Sequence, residues 1–203
     1  MTARPSNEEL ERTVRMKDGR TALIRLARLE DMPDVMEMDR AVLLDGRGSV
    51  RTADELVDDL ASFTEKHRAY IDGNKSGVGG CWLVAEVEGR VVAGGTIHRL
   101  QPGRVRHNAQ IGLGVHPEYQ GLGLGRAIMV GLLDWARLHS APTGRATLPP
   151  IRRVMLNVMA NNERAIALYT SLGFRIIGTR TRFIRFEDGS ECNDHEMELL
   201  LDE

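Results

Sequence analysis

Eight consecutive residues, Gln120-Gly121-Leu122-Gly123-Leu124-Gly125-Arg126-Ala127, carry the most specific chemistry in this chain. Glycine at 121, 123 and 125 lets successive backbone N–H groups turn toward one point with no Cβ in the way. From there Leu124, Ala127, Ile128, Gly131, Leu132, Trp135 and Leu138 recur at spacings of three and four, the apolar face of a helix. Upstream, Ile111 to Val115 reads as a strand, closed by the turn-prone His116-Pro117-Glu118-Tyr119. The first N–H groups of a helix have no internal partner, and its dipole favours negative charge there. Strand, glycine turn and helix in this order can hold a phosphate on main chain alone. The dinucleotide spacing G-x-G-x-x-G is not met, and no ribose-binding acid is recognisable on a following strand. No Gly-Lys-Ser/Thr completes a P-loop either.

A second constellation follows. Arg153 to Val158 reads as a strand, and after a short link comes Asn162-Glu163-Arg164-Ala165-Ile166-Ala167-Leu168-Tyr169-Thr170-Ser171-Leu172-Gly173-Phe174. Asn162 is a good N-cap, Glu163 suits the positive helix end, and Gly173 is a ready left-handed C′ residue. Ala165, Leu168, Tyr169 and Leu172 share one face.

Together the two stretches resemble the GNAT superfamily of N-acetyltransferases. Gln120, Gly123 and Gly125 match its pyrophosphate loop, Gln/Arg-x-x-Gly-x-Gly/Ala. Asn162, Ala165, Leu168, Tyr169, Gly173 and Phe174 match its Asn-x-x-Ala-x-x-Leu-Tyr-x-x-x-Gly-Phe signature. The resemblance covers about residues 20 to 201. It implies an α+β (mixed α/β) fold whose central, mostly antiparallel sheet has about seven strands, one splayed parallel pair and helices on both faces. It implies acetyl-CoA as co-substrate and no metal. The pantetheine arm would lie along Leu113, Gly114 and Val115, pairing with Leu113 and Val115. The amides of Gln120, Gly121, Leu122, Gly123, Leu124, Gly125 and Arg126 would hold the pyrophosphate. Asn162 would reach the cofactor from the second helix.

The reaction so implied is transfer of acetyl from a thioester to a primary amine by direct attack in a ternary complex. The amine must lose a proton, the carbonyl must be polarised, and the thiolate must leave. Tyr169 matches the family tyrosine that protonates the sulfur, and a backbone N–H near Val115 would polarise the carbonyl. Many members carry a glutamate base in an Ala-Glu-Ile-like context, where this chain has Ala109-Gln110-Ile111. A glutamine cannot accept a proton usefully, which leaves His98, His107, Glu86 and the pair Asp194-His195 as alternative bases, or water. Neither Cys81 nor Cys192 lies in the two motifs, so a covalent acetyl-cysteine is not expected. The expected acceptor is a small-molecule amine, an amino acid or polyamine. A protein N-terminus or lysine is the second option, and a non-catalytic acyl-CoA-binding module is the rival from another class.

The elements that position these motifs follow from pattern. Residues 1–19, polar with charges of both signs, read as a flexible leader, and 20–203 as one N-acetyltransferase domain. Thr21 to Leu26 reads as a first strand, and Met32, Val35, Met36 and Met38 as a core-facing helix stripe. Thr52 with Glu55 spaces like a capping box ahead of a second helix carrying Leu56, Leu60 and Phe63. Asp72 to Gly80 reads as a flexible glycine-rich loop. Cys81–Val87 and Val91–Leu100 alternate as a hairpin closed at Glu88-Gly89-Arg90. His107 to Val115 feeds the glycine turn, Ser140 to Pro150 is a proline-bearing connection, and Phe174–Phe186 with Cys192–Leu201 makes a last hairpin around Asp188-Gly189.

Composition bounds the rest. With 203 residues, 42% apolar and 28% charged, the chain suits a globular domain with a sizeable core. A net charge of −2 with scattered arginines gives no nucleic-acid footprint. No apolar run approaches the ~18 residues of a membrane span. The two cysteines lack metal-ligand spacing and read as reduced strand residues. A cytoplasmic protein with no nucleic-acid or membrane partner is expected, and a homodimer is compatible with this reading.

Overall fold

The computed structural model describes residues 10–46, 48–76, 79–138 and 149–201, and the side chains of 73–76 are not among them. Eight strands form one sheet in the order β1-β2-β3-β4-β5-β6-β8-β7. They are β1 (Arg12–Arg15), β2 (Thr21–Leu26), β3 (Gly80–Val87), β4 (Arg90–Arg99), β5 (Asn108–Val115), β6 (Arg153–Met159), β7 (Arg175–Arg185) and β8 (Glu191–Leu200). The helices are α1 (Met32–Asp45), α2 (Leu60–Ser76), α3 (Leu124–Leu138) and α4 (Glu163–Ser171). Pairing is mostly antiparallel, with β5 and β6 parallel through Asn108↔Arg153, Ala109↔Val154 and Gln110↔Met155. This is the expected α+β class, with eight strands in place of about seven. The described residues fall into two compact units, one within Met1–His98 and Gly112–Leu138, the other within Arg99–Ile111 and His139–Glu203.

The first unit is built on β3, whose run Cys81-Trp82-Leu83-Val84-Ala85 is buried throughout. Burial on both sides follows from the two-residue period, which sends alternate side chains to opposite faces. Trp82 and Val84 join Met32, Val35 and Met38 of α1 and Phe63 and Ile71 of α2 in one apolar cluster. Leu83 faces the other way, toward α3, so close that a Cβ on Gly131 would lie 2.6 Å from its Cδ1. Gly95 of β4 permits the same approach, since a Cβ there would sit 2.6 Å from Ile128 Cγ2. Helix α3 thereby buries Leu124, Ile128, Met129, Leu132, Leu133 and Trp135. The methionine stripe of α1 is core, as its periodicity predicts. Glu88 (φ 52°) and Gly89 (φ 80°) close the β3–β4 hairpin in left-handed conformations that match strand twist.

In the second unit, β6 pairs antiparallel with β8, and β8 with β7. Asp188 and Gly189 turn the last hairpin, Gly189 at φ 81°. Met159, Ile184 and Cys192 form a small apolar cluster. Both cysteines are free and buried, and burial alone pushes the Cys81 thiol up to about 12.

Three expectations change. Residues 12–15, inside the stretch read as a loose leader, form β1 against β2. Their polarity hid this: Arg12 is held by Asp134 at 2.9 Å and by the Ala127 carbonyl at 2.9 Å, while flanking Leu10 and Met16 are buried. The Thr52–Glu55 capping box is real, with Thr52 N–H donating to Glu55 at 2.8 Å, but it caps a short 3₁₀ turn, Ala53–Glu55. Helix α2 starts later, at Leu60, just after Asp59, whose carboxylate accepts from Ser62 N–H at 2.7 Å. Helix α2 then runs on to Ser76, through residues read as loop. The connection expected over 140–150 lies almost wholly outside the described residues. Among the described residues no helix is long and apolar enough to cross a membrane.

Candidate functional site

Gln120 to Arg126 in the first unit takes the conformation its glycines allow. Gly121 and Gly123 adopt φ 79° and 100°, the left-handed region that disfavours any side chain. Nothing lies within 4 Å of a Cβ built on either, so the space beside the loop is open. The first helical bond of α3 is Ala127 N–H to Gly123 C=O, 3.1 Å. The amides of Leu124, Gly125 and Arg126 therefore precede the α3 ladder, at the positive end of a 15-residue helix. Such a site suits an anionic diphosphate.

Strand β5 enters this loop with its end pinned. His116 N–H donates to Val92 C=O at 2.9 Å, and the Gln120 side-chain amide donates to Val115 C=O at 3.3 Å. His116 is itself spent on the turn, accepting from Glu118 N–H through Nδ1.

Beside β5, still in the first unit, lies an open cleft of about 310 Å³. Its floor is the glycine-rich stretch of the sheet: Gly94 and Gly95 of β4, and Gly112, Leu113 and Gly114 of β5. Its walls carry Asp39 of α1, Arg51 before α2, His67 and Tyr70 of α2, and Trp82 of β3. Arg51 and Asp39 form an ion pair. The His67 ring lies 4.3 Å from that of Phe63 and 5.5 Å from that of Trp82, and its Nδ1 is 2.8 Å from the Phe63 carbonyl. Leu113 and Gly114, expected along the pantetheine arm, belong to this floor; Val115 continues the strand. Gln110 shares a strand face with Gly112 and Gly114, because side chains alternate along β5. Sequence reading missed His67, although Phe63, His67 and Ile71 recur every four residues on one face of α2.

The second unit holds the other motif. Asn162 caps α4, its Oδ1 accepting from Ala165 N–H at 3.1 Å. Gly173, at φ 93°, ends the helix, and Phe174 N–H returns to Tyr169 C=O at 3.0 Å. Tyr169 is 8% exposed, beside the Phe174 ring at 6.1 Å. Burial pushes its phenol up to about 12, so the hydroxyl stays protonated across the neutral range.

The other base candidates are mostly engaged. Glu86 is paired with the buried Arg25, 2.8 Å away, which also binds Asp31 at 2.7 Å. Asp194 is buried, in an ion pair with Arg180 and a 3.1 Å bond from the Asn157 amide. His195 Nδ1 meets Thr179 Oγ1 at 2.8 Å. His98 has a buried Nδ1 with no partner, and burial holds its imidazole below the ordinary value. His107 precedes β5, its carbonyl taking the N–H of Arg152 at 2.9 Å. Among the described residues no group of three or more His, Cys, Asp or Glu could hold a metal ion.

Residues 50–174 match the acetyltransferase (GNAT) family. The N-alpha-acetyltransferase RimI of Mycobacterium tuberculosis is 41% identical over 73 residues, 36% of this chain and 38% of that protein. The mycothiol acetyltransferase of Acidothermus cellulolyticus is 44% identical over 81 residues, 40% of this chain and 21% of that protein. The matched segments thus span well under half of these relatives' lengths. Among solved structures, yncA of Salmonella typhimurium with its cofactor acetyl-CoA superposes with a TM-score of 0.72 at 23% identity, covering 90% of this chain and 95% of that one. The family match spans well over half of the sequence, and the superposition shows the same fold: this chain belongs to the acetyltransferase (GNAT) family.

Proposed function

We propose that this chain moves an acetyl group from acetyl-CoA to the primary amine of a small molecule, an amino acid or a polyamine. The observation that carries the reading is the main-chain cradle at the head of α3. Gly121 and Gly123 hold left-handed conformations with open space where a Cβ would stand. In this reading the amides of Gln120, Gly121, Leu122, Gly123, Leu124, Gly125 and Arg126 bind the pyrophosphate, and Leu113, Gly114 and Val115 line the pantetheine arm. Acetyl-CoA supplies the activated thioester. Tyr169, kept neutral by burial, donates a hydrogen bond and then a proton to the departing sulfur. Asn162 uses Oδ1 to cap α4, which leaves its Nδ2 as the donor for the cofactor. The cleft lined by Asp39, Arg51, Tyr70 and Trp82 takes the acceptor; its volume suits a ligand of small-molecule size.

A second reading, acetylation of a polypeptide α-amine, is favoured by the similarity to the RimI enzyme. One experiment separates the two. Thiol release from acetyl-CoA is followed against amino acids, polyamines and short peptides with free N-termini. Turnover on the first two groups supports the proposal, and turnover on peptides alone replaces it with the second reading. Acetyl-CoA binding without turnover on any amine would mark a binding module.

A further inference from the structure

We infer that His67 is the base that takes the proton from the attacking amine, filling the role left vacant by Gln110. This rests on the acetyl-transfer reading above, and adds to it a residue that the family signatures do not contain.

Geometry fixes which nitrogen is available. The Phe63 carbonyl can only accept a hydrogen bond, so the ring nitrogen 2.8 Å away must carry a proton. The neutral imidazole then has its lone pair on Nε2, at the opposite edge of the ring. The bond runs back one turn of α2, and the ring is flanked by Phe63 and Trp82. Tautomer and orientation are therefore set before any substrate arrives. The same cleft has Gly112, Leu113 and Gly114 of β5 as its floor, the segment assigned to the thioester arm. Acceptor amine, imidazole and the strand edge share one space.

The charged and titratable groups facing His67 are few. From α1 comes Asp39, from the segment before α2 Arg51, and these two neutralise each other. Tyr70 is the other titratable group, on α2 itself; β3, β4 and β5 contribute Trp82, glycines, Thr96 and Leu113. Asp39 is the one carboxylate among the residues lining the cleft and it is paired, so the Nε2 lone pair of His67 is the proton acceptor the wall offers. In the step, the amine nitrogen bonds to the acetyl carbon and the carbon–sulfur bond breaks. The bound ammonium first gives one proton to Nε2, which frees the nitrogen lone pair for that attack; the sulfur leaves as a thiolate and takes a proton from Tyr169, the second nitrogen proton returns to the Tyr169 phenolate, and water carries the first away from the imidazolium.

Two measurements test this. The first needs no substrate: ¹⁵N NMR of the ligand-free protein at pH 8 reads the His67 tautomer. Nδ1 should appear protonated and Nε2 unprotonated; the reverse pattern overturns the inference. The second compares wild type with His67→Gln from pH 5.5 to 9, using the fastest amine of the panel above. Wild-type kcat/KM should rise less steeply with pH than the variant's. The variant should lose about 100-fold at pH 7, recover about tenfold per pH unit as neutral amine accumulates, and bind acetyl-CoA as before. Equal pH profiles in the two proteins would also overturn it, as would a loss in the variant that is the same at every pH. If no amine is turned over, the transfer reading fails instead, while the NMR still reports on His67.

Discussion

The backbone N–H of Lys17 donates to the carbonyl of Leu122 at 3.1 Å, joining the β1–β2 turn to the middle of the glycine-rich loop. Three residues along the same turn, the Arg20 guanidinium lies 5.1 Å over the ring of Tyr119. The loop therefore has a support that sequence distance conceals. Arg20→Ala should loosen it and weaken acetyl-CoA binding about two- to fivefold, with kcat unchanged. Calorimetry and steady-state kinetics check this; a fall in kcat at unchanged affinity would sink the idea.

Gly123 offers a cleaner probe of the cradle. A substituent there meets no protein atom, so Gly123→Ala and Gly123→Asp share the same backbone strain at φ 100°, about 1–2 kcal/mol. They differ only in a carboxylate, which the proposed reading would set against the bound diphosphate. The alanine variant should bind acetyl-CoA more weakly, and the aspartate variant should not bind it measurably. Equal affinities would move the pyrophosphate elsewhere.

Tyr169→Phe keeps the ring beside Phe174 and removes the hydroxyl alone. Turnover should fall about 10²- to 10⁴-fold with little change in acetyl-CoA affinity. Because burial holds the phenol near 12, wild-type activity should show no loss from its ionisation below pH 10. Turnover of the variant within about twofold of wild type would make Tyr169 a packing residue only.

His98 links stability to pH. Its folded-state pKa lies below the ordinary histidine value because burial penalises the charged ring. Above about pH 6.5 both folded and unfolded chains hold it neutral, and it costs nothing. As pH falls through that value the unfolded chain gains a proton that the folded chain resists, so stability drops. Urea midpoints at pH 7.5 and 5.5 should therefore differ less for His98→Gln than for wild type. An identical difference would show that His98 does not titrate with unfolding.

What the sequence revealed and what it concealed divide along a physical line. The glycine loop and the Asn162–Phe174 helix were readable because their chemistry is local: left-handed glycines, a cap and a helix start lie within a dozen residues. The class of sheet followed from the family resemblance, but β1 did not, because an ion pair between Arg12 and Asp134 spans 122 residues. Asp59 starts α2 as plainly as Thr52 was expected to, yet both are helix-cap residues, and propensity alone does not choose between them. The cleft was hidden for the same reason as β1. Asp39, Arg51, His67 and Trp82 come from four segments that only tertiary packing brings together.

Among the described residues, β8 is the only strand beside β7 in the sheet order, which leaves the other side of β7 without a described partner strand. Strand β7 is 11 residues long and exposes Ile176, Ile177 and Phe183, an invitation to pair with another chain. Arg175, Arg180, Arg182 and Arg185 interrupt that invitation. Arg180 lies across the Phe183 ring at 3.6 Å, and the register breaks between Arg180 and Ile184, where Arg182 turns to φ 53°. Charge and a kinked backbone together deny a straight, uncharged edge to any incoming strand. An edge so built is of the kind that discourages sheet-upon-sheet growth in a crowded solution.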